Sequence, residues 1–133
     1  MTPTRMTTLA AVWAGGVVGT GARLGISLAA PSMTFPLATF VVNILGAFAL
    51  GVLLEALLHS RVDDGRRAMI SLAVGTGFLG GFTTYSTLAV DTVLLLRSGA
   101  SATAVAYAGG TVLLGVLAAA VGIRLGRRRG RSA

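Results

Sequence analysis

At 133 residues, with 54% hydrophobic residues, 19 glycines and only 11% charged residues, the chain has room for one domain and lacks the composition of a water-soluble one. Its net charge of +7 rests on eleven basic residues, all arginine, which gather at segment ends instead of covering a polar face, so a soluble nucleic-acid binder is excluded. There is no cysteine, which excludes disulfides, thiolate metal sites and cysteine nucleophiles.

About 20 predominantly apolar residues cross the hydrocarbon core, and four runs meet that requirement. They predict an all-α membrane protein with spans at 8–30, 36–58, 68–96 and 101–123. The first follows Arg5 as a secretory signal would, but it is too long for an h-region and leads into three more spans, so it reads as mature structure. Pro31–Phe35 connects it to the second span, where Pro36 suits a first helical turn because its missing N–H costs nothing there. Ser60–Arg67 is the one clearly polar loop, and His59 beside it reads as solvated. Arg97–Gly99 makes a tight turn before the fourth span, and 126–133 is a basic, frayed C-terminal tail. Glycines recur four apart as Gly15/Gly19, Gly21/Gly25, Gly77/Gly81 and Gly122/Gly126, a spacing that lets helix backbones approach closely in lipid. Gly75-Thr-Gly77-Phe-Leu-Gly80 also matches the dinucleotide-binding pattern, but no strand precedes it and the match is coincidental.

An even number of spans puts both termini and the Ser60–Arg67 loop on one side, together with Arg5, Arg61, Arg66, Arg67 and the tail arginines. The opposite side has only Arg97. The positive-inside rule then predicts one fixed orientation in the cell membrane, with cytoplasmic termini.

Polar residues inside the spans fall mostly in the half of the bilayer away from the termini. At about 1.5 Å per residue, Arg23 and Asn43 lie roughly 10 Å deep from that side, Thr111 about 14 Å, Tyr85 about 16 Å, and Asp91 and Tyr107 about 8 Å. Such groups face a bundle interior or a hydrated cavity. One chain supplies half a pathway, and a second copy or relative inserted upside down would supply the rest. In the third span, glycines and hydroxyl residues from Gly75 to Thr87 sit near the centre of a run longer than a straight crossing needs. They predict a helix broken near mid-membrane, whose freed carbonyls can coordinate a cation; the alternative is a kink at Gly80-Gly81 with hydroxyls bonded back to helix carbonyls. Asn43, with Thr39 one turn away, offers an amide that serves either a pathway or interhelical bonding. Tyr85, Ser86, Thr87, Tyr107 and Thr111 add hydroxyl donors and aromatic edges, a neutral track suited to a small hydrated anion. Arg23 would attract anions, pair with Asp91 or snorkel to the interface.

These residues form a recognisable pattern. Gly21-Ala22-Arg23, Ala38-Thr39 with Val42-Asn43-Ile-Leu-Gly46-Ala-Phe48 and Gly51, and Gly77-Phe-Leu-Gly80-Gly81-Phe-Thr83-Thr84-Tyr85-Ser86-Thr87 resemble the Fluc (CrcB) fluoride channels across all four spans. The resemblance implies an antiparallel dual-topology dimer that exports cytoplasmic fluoride passively, confers fluoride resistance and holds a central structural sodium ion. It assigns sodium to the backbone carbonyls of Gly80 and Thr83 and makes Asn43 the pore amide. Thr39, Ser86, Thr87, Tyr107 and Thr111 match a polar track, and Arg23 matches an arginine of the first-span motif. Where the family usually has two phenylalanines three residues apart, this chain has Tyr85 and Leu88. Some members work as pairs of related subunits of opposite fixed orientation, and the arginine bias together with Leu88 leads us to expect a heterodimer with an oppositely oriented homologous partner.

Three other classes compete. A small four-span multidrug transporter needs a carboxylate deep in the membrane, usually in the first span, and the first acidic residue here is Glu55 at the end of the second. A non-conducting scaffold subunit is compatible with Leu88. An enzyme is disfavoured, because His59 and four carboxylates assemble no nucleophile, base and oxyanion group.

Overall fold

A computed structural model of the chain describes residues 5–31 and 33–130, and the described residues form helices and turns with no strand. Helix α1 spans Arg5–Ala29 and α2 spans Leu37–Leu58. The third crossing is composite. Helix α3 (Asp64–Ile70) runs into a π-helical segment, Ser71–Leu79, and then one α-turn, α4 (Gly80–Phe82). Thr83 (φ −83°, ψ 161°) and Thr84 (φ −152°, ψ 121°) are extended, and α5 (Tyr85–Arg97) follows. Helix α6 covers Ser101–Gly130. Counting Asp64–Arg97 as one, four of these helical runs are long and apolar enough to cross a membrane.

Local chemistry sets the boundaries. Pro36 stands just before α2, as its N-cap, and not inside the first turn. Asp63 caps α3 by accepting from the Arg66 N–H at 3.0 Å, while Asp64 places a carboxylate in the first turn, where the helix dipole favours it. Helix formation therefore starts at Asp64, and the polar loop is shorter than Ser60–Arg67. Helix α5 stops in a Schellman motif: Ala100 N–H bonds to Leu95 C=O, Gly99 N–H bonds to Leu96 C=O, and Gly99 takes the positive φ of 82°.

The two glycine-rich seams pair helices that run in the same direction. On α1, Gly15 and Gly19 lie against the carbonyls of Ala73 and Phe78, and Gly77 answers by facing Val12 O, 2.7 Å from where a Cβ would stand. On the other side, Gly51 of α2 meets Ala119 O, while Gly122 and Gly126 of α6 meet Phe48 O and Val52 O. Removing the Cβ allows this backbone approach, which supplies dispersion contact where lipid gives no hydrophobic drive. Gly21 and Gly25 carry the same spacing but have nothing within 4 Å. Phe78 and Phe82 stack at 5.7 Å beside the first seam.

The second seam changes the reading of the C-terminus. Residues 126–130, expected as frayed tail, are the last turns of α6, because Gly126 seats on α2 and Arg127 bonds to Glu55. At the opposite end, Tyr107 is 0% exposed and packs with Leu88, Leu95 and Ala104, and Phe35 meets its ring edge-on at 5.5 Å.

Candidate functional site

The extended pair Thr83–Thr84 exposes backbone groups that a continuous helix would have satisfied, and α2 supplies the replacement. Asn43 Nδ2 donates to Thr84 C=O at 3.0 Å, and Thr84 N–H donates to Asn43 Oδ1 at 2.8 Å. Thr84 then caps α5: its Oγ1 accepts from Thr87 N–H at 3.1 Å and lies 3.0 Å from the Thr87 hydroxyl and 3.2 Å from that of Ser86. These bonds have a consequence for two carbonyls. In an α-helix the N–H of Thr84 would bond to Gly80 C=O and that of Thr87 to Thr83 C=O. Both N–H groups are bonded elsewhere, so the carbonyls of Gly80 and Thr83 lose their regular helical donors. Gly80 and Thr83 line one depression of about 310 Å³ with Asn43, Gly46 and Leu79. Thr83 Oγ1 bonds back to Leu79 C=O at 2.8 Å.

The polar residues do not form a single track. Asn43, Tyr85 and Thr111 share a groove of about 440 Å³ between α2, α5 and α6, with Leu88 and Val116 among its apolar lining. Tyr85 is 82% exposed and stands free of its own subunit. The Thr111 hydroxyl donates back to Tyr107 C=O on the same helix at 2.6 Å. Thr39 and Thr87 line a separate chamber of about 270 Å³ between α1, α2 and α5, with Thr20, Arg23 and Ser27. Thr84 borders both spaces. Tyr107 reaches neither: its hydroxyl donates to Asp91 Oδ2 at 3.1 Å, and Thr39 Oγ1 donates to the same oxygen at 3.1 Å. Arg23 does not pair with Asp91, whose carboxylate is bonded to these two hydroxyls, so of its three expected roles the ion pair is excluded.

Sequence reasoning passed over Thr84 as a site residue, although a threonine preceding a restarted apolar helix is an N-cap signal. It also missed Thr20 and Ser27, which carry no motif and reach the chamber through the packing of α1.

The same pattern recurs in known proteins. A family model described as CrcB-like protein, Camphor Resistance (CrcB), matches residues 10–123. The chain belongs to the CrcB family. It is 46% identical over 127 residues, covering 92% of this chain and 88% of the relative, to a Leifsonia xyli protein named fluoride-specific ion channel FluC 2. It is 41% identical over 115 residues (85% and 89%) to fluoride-specific ion channel FluC of Paracoccus denitrificans. A Bacillus subtilis protein named FluC 2 is 36% identical over 118 residues (89% and 86%). With four helices able to cross a membrane, this CrcB-family chain is a multi-pass membrane protein.

One further cluster in the CrcB chain lies at the arginine-rich end. Glu55 is 7% exposed, accepts from Arg127 Nε at 2.9 Å and lies 3.4 Å from His59 Nδ1, which also reaches Glu55 C=O at 3.0 Å. His59 is exposed, as expected of a solvated side chain, and it also lies against Glu55. A carboxylate held out of water needs its partners, yet Arg127 is half exposed and His59 remains when it is removed. Arg127→Met should therefore cost only about 1–2 kcal/mol of stability, read from thermal unfolding in detergent. An unchanged midpoint would show the pair to be energetically silent.

Proposed function

We propose that the chain is a subunit of a fluoride-selective passive channel that exports cytoplasmic fluoride and lowers its toxicity. The supporting observation is the Asn43–Thr84 clasp: it holds extended backbone inside a membrane crossing and places an amide, the Ser86 and Thr87 hydroxyls and the exposed Tyr85 ring around it. Fluoride is the ion in the names of the relatives, and neutral donors exchange for its hydration without trapping it. Asn43, Tyr85 and Thr111 then line the open groove, Thr39 and Thr87 serve the chamber side, Ser86 adds a hydroxyl beside Thr84, and Arg23 draws anions towards the chamber. Tyr107 and Asp91 position Thr39. The assignment is to a channel, not an enzyme.

The proposal includes an interruption of the third helix near the bilayer centre, an antiparallel dimer and cytoplasmic termini. Sodium fits the same geometry. Among the described residues no cluster of three His, Cys, Asp or Glu could hold a metal, whereas Gly80 and Thr83 have carbonyls released from helical bonding, the oxygen type that suits such a cation. Two carbonyls from each of two subunits would hold it at the dimer centre and lend it a structural role.

Leu88 favours heterodimerisation. It is buried against Tyr107 and presents aliphatic carbon to the groove between Tyr85 and Thr111, offering an anion no aromatic edge. An oppositely oriented homologous subunit would contribute the phenylalanine pair. Liposomes holding this chain alone should release fluoride at least tenfold more slowly than liposomes holding it with such a partner, by fluoride-electrode recording. Equal rates would overturn the heterodimer. Rapid efflux by the partner with this subunit's groove disabled would favour the second reading, a non-conducting scaffold.

A further inference from the structure

An apolar groove at the arginine-rich end takes no part in the proposed pathway. It measures about 590 Å³ and runs between α2, the π-helical segment and the end of α6, lined by Phe48, Val52, Ala56, Val74 and Leu125, with Arg128 at its mouth. From Phe48 to Ala56 the helix rises about 12 Å, so the groove lies within one leaflet of a core about 30 Å thick. It is greasy towards the bilayer centre and cationic at the surface. Arg124 precedes Arg128 by one turn on the same face of α6 and is exposed, and its long stem lets the guanidinium reach the headgroup level.

We infer that this groove holds an anionic phospholipid, with an acyl chain along α2 and the phosphate at Arg128 and Arg124. Basic pockets between transmembrane helices select anionic headgroups, since a zwitterionic lipid brings its own cation to the same place. The occupant matches the groove in both parts: a chain for the aliphatic floor and a negative charge for its mouth.

The test is native mass spectrometry of the full chain in detergent with equal phosphatidylglycerol and phosphatidylcholine of matched acyl chains. Phosphatidylglycerol should be retained preferentially, and Arg124→Gln and Arg128→Gln should each lower its retention about fivefold, leaving phosphatidylcholine unchanged. Ala49→Phe, which intrudes on the same groove, should lower phosphatidylglycerol retention with both arginines in place. Equal retention of the two lipids by the unaltered chain, or arginine variants that retain phosphatidylglycerol normally, would overturn the assignment. So would disulfide-linked dimers from Ala49→Cys in bilayers, because the chain has no other cysteine and the groove would then be covered by a second copy.

Discussion

Asn43→Leu is expected to abolish fluoride efflux and to destabilise the subunit at the same time. Leucine branches at the same carbon as asparagine but has neither a donor nor an acceptor, so both Thr84 backbone groups lose their partners. Each unsatisfied buried group costs about 1–3 kcal/mol, and the penalty rises where no water can substitute. The chain has two ways to respond. It can leave the groups bare, or it can return Thr84 N–H to Gly80 C=O and rebuild continuous helix. The second response closes the carbonyl site and re-aims Tyr85, Ser86 and Thr87. Either way the arrangement that defines the proposed pathway is lost. Efflux from liposomes falling to the level of empty vesicles, with a lowered unfolding midpoint, is the expected pair of results. An Asn43→Leu protein that unfolds at the original midpoint and still releases fluoride would remove the clasp from both the fold and the function.

Gly19→Leu should be the most damaging change in the bundle that touches no proposed pore residue. A Cβ there would collide with Phe78 O and stand 2.9 Å from Phe78 C and 3.0 Å from Phe82 N. All three are backbone atoms of the third crossing, which cannot swing aside as a side chain can. Overpacking of this kind costs about 3 kcal/mol or more when the backbone must move. Gly21→Ala is the control, since nothing lies within 4 Å of that position. Alanine in a helix interior is favoured over glycine by about 0.5–1 kcal/mol, so the subunit should hold or gain stability. The comparison is made by thermal unfolding in detergent. Equal midpoints for the two variants would mean that the α1 seam contributes nothing to holding the third crossing.

Much of this molecule is legible as sequence, and the reasons are specific. Four apolar runs meet the thickness of a bilayer, so the helices and their rough places follow from length and composition. Glycines and threonines crowd one segment, and that segment is where the regular α-helix gives way. Thr83 and Thr84 are extended there, within the stretch that the CrcB family model matches. The π-helical stretch from Ser71 to Leu79 had no such signal in the sequence; its Gly77 and Phe78 pack against α1. The polar residues were likewise visible one by one, but their grouping was not. Hydroxyls that read as one track are divided between a groove and a chamber, with Tyr107 consumed by Asp91.

The glycine pairs show the same division most plainly. Gly15/Gly19, Gly77/Gly81 and Gly21/Gly25 have identical spacing, yet only the first two lie in a seam. The arginine excess that marks one end is a property of the chain alone, because counting charges along the spans needs no contacts. Which of those arginines holds Glu55 and which stands at the mouth of an apolar groove depends on how α6 lies against α2, fixed by Gly51, Gly122 and Gly126. Hydrophobic length and charge are sums along the chain, so sequence determines the spans and the lopsided charge. Hydrogen-bond partners and close backbone approaches join residues such as Asn43 and Thr84, 41 positions apart, and only the packed helices decide them.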